Sequence, residues 1–211
     1  MKTDTLITAI LQDSASRRSV AGRMAIALGV GGLVAVVMFM YMLGVRPDIS
    51  SALQTWRFTT KVLLTLVFFA AALRVAAKLT RPNAITGPAL VPLAVPIALL
   101  VFAVGCELLV SPPASWSALA IGSNSLLCLM SITVLSIAPL SALLFALREG
   151  APRSPAMAGA AAGLLAGGLG AVLYAIHCVD DSPLFVALWY TPSVALLGLA
   201  GTALGHRVLR W

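Results

Sequence analysis

The chain of 211 residues is 60% hydrophobic and only 10% charged, with a formal net charge of +7 and a mean hydropathy of +1.01. A soluble domain of this size carries about 25% charged residues, so lipid rather than water solvates most of this surface. The composition excludes a large soluble domain. Because the basic residues flank apolar runs, the positive charge belongs to membrane topology and lipid headgroups rather than to nucleic acid.

Residues 1–23 are the only sizeable polar segment. Thr3 or Asp4 can cap a short helix, and Leu6, Ile7, Ile10 and Leu11 then fall on one face of it. A free helix this short is marginal in water. It either folds against a partner that buries that face, or lies on the membrane with Arg17, Arg18 and Arg23 among the headgroups. The first apolar run, from Met24 to Val45, lacks a small-residue cleavage site and reads as a retained span rather than a signal peptide.

The second span is expected over Phe58 to Ala77. Its uninterrupted core, Val62 to Leu73, is only about 18 Å long. Lys61 and Arg74 are therefore expected to snorkel to opposite headgroup regions, the alternative for Lys61 being a pair with an acid at the outer face. The third span covers Ala89 to Leu109, with Pro92 and Pro96 placed to kink it. It ends in Gly105-Cys106-Glu107, and Trp116 follows as an interfacial anchor. The fourth covers Ser123 to Leu147, with Asn124 and Cys128 early and Pro139 deep inside. The fifth, Pro155 to Ile176, carries Gly159, Gly163 and Gly167 at four-residue spacing, which bares one helix face to a neighbouring backbone. The sixth, Leu184 to Leu204, repeats that spacing at Gly201 and Gly205.

The fold class is thus all-α: a polytopic bundle of six transmembrane helices over residues 24–205, between an N-terminal segment 1–23 and a tail 206–211. Orientation follows from the bases. With the N-terminus inside, the inner segments hold Lys2, Arg17, Arg18, Arg23, Arg74, Lys78, Arg81, Arg148, Arg153, Arg207 and Arg210, and the outer ones only Arg46, Arg57 and Lys61. That bias predicts a multi-pass membrane protein with both termini cytoplasmic.

This topology sends the reactive side chains to one side. The run Tyr174-Ala-Ile-His-Cys-Val-Asp-Asp-Ser-Pro183 joins the fifth and sixth spans and brings His177, Cys178, Asp180 and Asp181 to the outer face. Cys106 and Glu107 end the third span there, and Cys128 sits just inside the fourth. All three cysteines fall in the outer half, where the compartment is oxidising. Three readings of Cys106 and Cys178 stay open: a structural disulfide, a redox- or metal-responsive pair with His177 and the acids as further ligands, or small buried residues without a special role. No C-x-x-C spacing singles out a metal, so Cys106, Cys178 and His177 are candidates only. Asp181 or Ser182 can instead simply cap the following helix, with Pro183 in its first turn.

Signals for catalysis are poor: Ser182, His177 and Asp180 lie close in sequence, but nothing specifies an oxyanion site. The chain does not read as an enzyme, and no cofactor is implied. A small transporter or channel for a metal ion or solute is the alternative. It needs polar residues through the bilayer, and only Asn124, Ser131, Thr133 and Ser136 on one span offer them. A quinone-linked thiol oxidoreductase fits least, since the cysteines lack C-x-x-C spacing.

Several pieces resemble the NrsF family of membrane anti-sigma factors, negative regulators of an extracytoplasmic-function (ECF) sigma factor. They are the opening Met1-Lys-Thr-Asp-Thr-Leu-Ile, Gly105-Cys-Glu-Leu-Leu, Asn124 with Cys128-Leu, Pro139-Leu, Ala146-Leu-Arg-Glu-Gly-Ala-Pro152 and the terminal Arg207-Val-Leu-Arg-Trp211. The most specific is His177-Cys-Val-Asp-Asp-Ser-Pro183 with the Leu-Phe-Val-Ala-Leu-Trp-Tyr190 that follows. The resemblance implies a six-span bacterial inner-membrane protein that holds its sigma factor inactive on the cytoplasmic side, without direct contact to nucleic acid. It also implies that outer cysteines, matched by Cys106 and Cys178, take part in sensing metal or oxidative stress. With no large soluble domain, the partner would be met by short cytoplasmic segments, first of all the helix bearing Leu6, Ile7, Ile10 and Leu11.

Overall fold

A computed structural model describes residues 20–80, 85–150 and 152–209. Among the described residues there is no strand, and six helices are long and apolar enough to cross a membrane. They are α1 (Val20–Met42), α2 (Trp56–Leu79), α3 (Thr86–Val110), α4 (Ser125–Leu147), α5 (Pro155–His177) and α6 (Pro183–Val208). Each expected span is present, with ends within a few residues of those read from hydropathy. The N-terminal helix with Leu6, Ile7, Ile10 and Leu11 lies outside the described residues.

The helix ends follow from local chemistry. Gly44 stops α1 in the left-handed region at φ +70°, and the N–H groups of Leu43 and Gly44 both donate to the Phe39 carbonyl at 2.9 Å. Thr55, Ser154 and Ser182 cap α2, α5 and α6 with their side-chain oxygens. Pro155 and Pro183 occupy first-turn positions, where a missing N–H costs nothing. The prolines of α3 act as expected, with a 3₁₀ turn over Val91–Leu93 interrupting the helix. In α6, Pro192 has no N–H to offer the Leu188 carbonyl, and the helix widens into a π-turn over Val186–Tyr190.

Helix α5 is the centre of the bundle, packed against α6, α4 and α2. Its glycines interlock with those of α6. A Cβ on Gly159 would collide with the Gly201 carbonyl, and one on Gly163 with the Leu197 carbonyl. One on Gly205 would lie 2.6 Å from the Pro155 carbonyl oxygen. The expected small-residue face is therefore a backbone-on-backbone seam. Gly167 closes its far end less tightly, against the Leu197 side chain. Ser136 of α4 donates to the Ala166 carbonyl of α5 at 3.0 Å, and Gly31 lets α1 sit on Pro139 of α4. Helix α3 packs mainly on α2 and turns Val95, Ile97, Val101 and Phe102 outward, as a lipid-facing helix does.

The helix ends Val20 and Val208 share one end of the bundle, where Arg23 pairs with Glu149 beyond α4 and Gly205 meets Pro155 at the start of α5. The opposite end, called distal below, gathers the links α1–α2, α3–α4 and α5–α6.

Candidate functional site at the distal end

Five residues, Cys178 to Ser182, strap α5 to α6 across the distal end. Lys61, one turn into α2, is 1% exposed. An ammonium has three donors, and the strap accepts from all of them: the Cys178 carbonyl at 2.7 Å, the Asp180 carbonyl at 3.4 Å and the Asp181 carboxylate. Arg46, in the α1–α2 link, is also buried. Its Nε and Nη2 clasp both oxygens of Asp48 at 2.8 and 2.7 Å. Its Nη1 reaches Asp181 at 2.9 Å and the Cys178 carbonyl at 3.2 Å. The Phe58 ring lies 5.4 Å from the Arg46 guanidinium and 5.5 Å from Lys61 Nζ, within cation–π range of both. Two buried cations are thus neutralised by two carboxylates, Asp181 within the poorly hydrated cluster and Asp48 at its exposed rim. Removing one partner of such a pair costs about 3–5 kcal/mol, because the other charge is left buried.

Asp180 has a separate job. Its carboxylate accepts from the backbone N–H groups of Ser123 and Asn124 at 3.1 and 2.9 Å, closing the N-terminus of α4 from outside that helix. The close approach needs Gly122. Its φ is +61°, and a Cβ there would lie 2.6 Å from the Phe185 ring and 2.8 Å from the Asp180 carboxyl carbon. Ser182 caps α6 by accepting from the Leu184 N–H at 3.2 Å. On the neighbouring side Glu107 is fully buried and paired with Arg57 of α2 at 2.7 Å, with the Ser111 hydroxyl donating to the same oxygen at 2.9 Å.

The Cys178 side chain is buried, and its thiol lies 3.8 Å from the Asp180 carbonyl, the same oxygen that Lys61 reaches. It shares one buried cluster with Cys128 of α4, Tyr174 of α5, and Phe185 and Tyr190 of α6. Cys106 is half-buried on α3 and outside that cluster. All three thiols are free. The rings of Tyr174 and Tyr190 lie 5.9 Å apart. Their hydroxyls are buried beside the Cys178 thiol without a hydrogen-bond partner of normal geometry. Burial holds the Cys178 thiol above the ordinary cysteine range, and the nearby Lys61 charge works against that. His177 Nδ1 is 3.0 Å from the Gly44 carbonyl; a carbonyl only accepts, so this nitrogen donates. A cavity of about 290 Å³ opens beside these groups, lined by Arg46, Asn124, His177 and Cys178 among others. Among the described residues no three His, Cys, Asp or Glu side chains converge as a metal site.

The structure therefore divides the residues singled out above. It brings Cys178, Asp181 and Asp180 into one network and sets His177 at its edge. It keeps Cys106 and Glu107 on a neighbouring helix, and it buries Cys128 in the same core cluster as Cys178. The expectation that Lys61 snorkels is corrected: the strap offers three acceptors within reach, which a headgroup need not supply. Capping falls to Ser182, while Asp181 takes the cations. Arg46 and Arg57 had counted only as topology charges. The signal that could have found them is charge balance, since Asp48, Glu107, Asp180 and Asp181, four of the seven acids, fall among the few distal bases. Two of the hydroxyls a solute path would need are bonded to backbone: Thr133 to the Leu129 carbonyl, Ser136 to those of Ile132 and Ala166.

Fold and site together define a polytopic helical membrane protein with a buried charge-and-thiol cluster at one end of its bundle. Residues 11–211 match the family model described as NrsF, negative regulator of sigma F, and the chain belongs to that family. It is 34% identical over its full length, and over the full length of the relative, to the anti-sigma-F factor NrsF of Caulobacter vibrioides. It is 32% identical, again over the whole of both chains, to the probable anti-sigma-F factor NrsF of Azospira oryzae. No solved structure matches it.

Proposed function

We propose that this protein is a membrane anti-sigma factor. It holds an ECF sigma factor inactive at the cytoplasmic side of the bacterial inner membrane and releases it when metal or oxidant engages thiols on the outer side. The observation that carries the reading is the end-to-end likeness to two anti-sigma-F factors. The charge bias supports the orientation, with both termini inside and the distal cluster outside. The N-terminal segment, through Leu6, Ile7, Ile10 and Leu11, is the proposed partner-binding element, because the described helices leave no soluble domain for that role.

The sensing site is centred on Cys178, with His177, Asp180 and Asp181 around it. Cys128 is buried in the same core cluster, and it joins Cys178 as the proposed responding pair. Cys106 and Glu107 stand beside it on α3. Chemistry at the Cys178 sulfur moves the strap whose carbonyl oxygen is held by Lys61 and Arg46. A full switch between two bundle states needs about 5.5 kcal/mol of differential preference. Disruption of a buried ion pair is of that order. The α5–α6 seam is rigid and carries the displacement as one body to the proximal end.

The test is copurification of the full-length protein with its sigma factor, with and without cadmium or a thiol oxidant, for wild type and for Cys106→Ser, Cys128→Ser and Cys178→Ser. Release from wild type and from Cys106→Ser, with retention by the other two, is expected. Release from all three variants alike would move the sensing step away from the thiols. Full retention after deletion of residues 1–12 would refute the N-terminal contact.

A further inference from the structure

The hydroxyls of Tyr174 and Tyr190 are buried and have no hydrogen-bond partner of normal geometry. Both belong to the buried cluster that holds Cys178, and the one group each approaches is the Cys178 thiol. A buried hydroxyl is ordinarily paired, and leaving one unpaired destabilises the fold. Two such groups around one sulfur are costly if the thiol is their only state. A neutral thiol is a poor acceptor, whereas a thiolate is a strong one. The two rings come from different helices, α5 and α6, and meet at a 50° tilt, so the hydroxyls approach the sulfur from separate elements. Behind the sulfur, the Cys178 carbonyl is fixed by Lys61 and Arg46, which holds the residue in place between its donors.

We propose that the Tyr174 and Tyr190 hydroxyls form a donor site for the Cys178 thiolate, and that Cys178 is the reacting thiol of the distal cluster. The role rests on the reading of this cluster as the sensing site, and it names two positioning residues for that chemistry. In the resting protein the site is empty of charge. When the thiol proton leaves to solvent by way of the adjoining cavity lined by Arg46, Asn124, His177 and Cys178, the hydroxyls turn their O–H bonds to the sulfur and stabilise the anion that attacks a soft electrophile. Cys128 is in the same core but has no comparable backbone clamp, and it is the second thiol rather than the first.

The consequence has an unusual sign. Replacing each tyrosine by phenylalanine removes an unpaired hydroxyl from the core while keeping the ring, so the fold should be as stable as wild type or slightly more so. The same change should slow the thiol. The experiment uses the full chain in detergent, in a Cys106→Ser/Cys128→Ser background, with iodoacetamide as the probe. The sulfur–carbon bond forms, iodide leaves and the thiol proton goes to solvent. Alkylation of Cys178 is followed against pH, and melting temperature is measured on the same samples. Tyr174→Phe and Tyr190→Phe are each expected to slow alkylation at neutral pH by on the order of tenfold, and to move the midpoint of the pH profile upward, with unchanged or raised melting temperature. Alkylation at the parental rate and midpoint in the Tyr174→Phe/Tyr190→Phe double variant would overturn the donor site. So would a lowered melting temperature with faster alkylation, which marks the hydroxyls as structural. Sigma-factor binding is scored separately. A wild type that never binds it overturns the anti-sigma reading, while the alkylation profile alone decides the donor site.

Discussion

The α5–α6 seam and the distal cluster hold the same two helices together by opposite means. Along the seam the backbones of Gly159, Gly163, Gly201 and Gly205 touch without a charge or an intervening side chain. At the distal end the strap between those helices is held by Lys61 and Arg46 from other parts of the chain. The seam has a single arrangement, since close-packed backbone tolerates no intermediate shift. The cluster has alternatives, because its ammonium, guanidinium and carboxylates can each exchange protein partners for water once the strap moves. The function proposed above uses both, a place that can change and a rigid element that carries the change.

The comparison can be broken most severely at the seam. Gly163→Val places a branched side chain where the Leu197 carbonyl already sits. Overpacking of this kind costs about 3 kcal/mol or more. The expected outcome is loss of a monodisperse bundle in size-exclusion chromatography, whatever the state of the thiols. Normal elution and melting would mean that the two helices can part, and the seam could not act as one body. The cluster should respond differently, because its cost lies in imbalance rather than in volume. Lys61→Met strands Asp181 beside Arg46 alone and is expected to cost about 3–5 kcal/mol. Lys61→Met with Asp181→Leu removes the charges together and should recover most of that loss. A double variant no more stable than the single one, by melting temperature in detergent, would show that the Lys61–Asp181 pair is not the unit that matters.

The same contrast explains what was legible in the sequence. The seam was readable because its rule is local and periodic: glycines four apart on one helix can only mean a bared face. The six spans were readable for the same reason. The cluster is assembled from Arg46, Lys61, Asp180 and Asp181, whose partners are up to 135 positions away. No period links them. Hydropathy even argued against Lys61 as a buried group, since the apolar core of α2 looked too short to bury it. The three acceptors that make its burial possible belong to a loop between two other helices. The thiols show the limit from another side. Cys106 and Cys178 both end a span, but only Cys128 and Cys178 are fully buried in the core cluster, a difference in burial that sequence position alone does not carry.

The smallest expected effect lies at the exposed edge of the cluster and sharpens the contrast between its rim and its core. The hydrogen bonds from Arg46 hold the Asp48 carboxyl below the usual carboxylate range, but the Asp48 side chain is half exposed, at 53%, so water screens most of what the pair contributes. A carboxylate whose folded pKa is depressed adds stability above its unfolded pKa, about 3.9, and loses it as pH falls through the lower folded value. Between pH 5 and 8 the contribution is therefore complete and flat. Asp48→Asn should melt slightly below wild type by the same small margin across that range, and the two proteins should converge only under strongly acidic conditions. A margin that already closes near pH 6 would place the Asp48 pKa above the ordinary range rather than below it. The clasp on Arg46 would then titrate under mild acidity, and the rim would belong to the switchable part of the distal end.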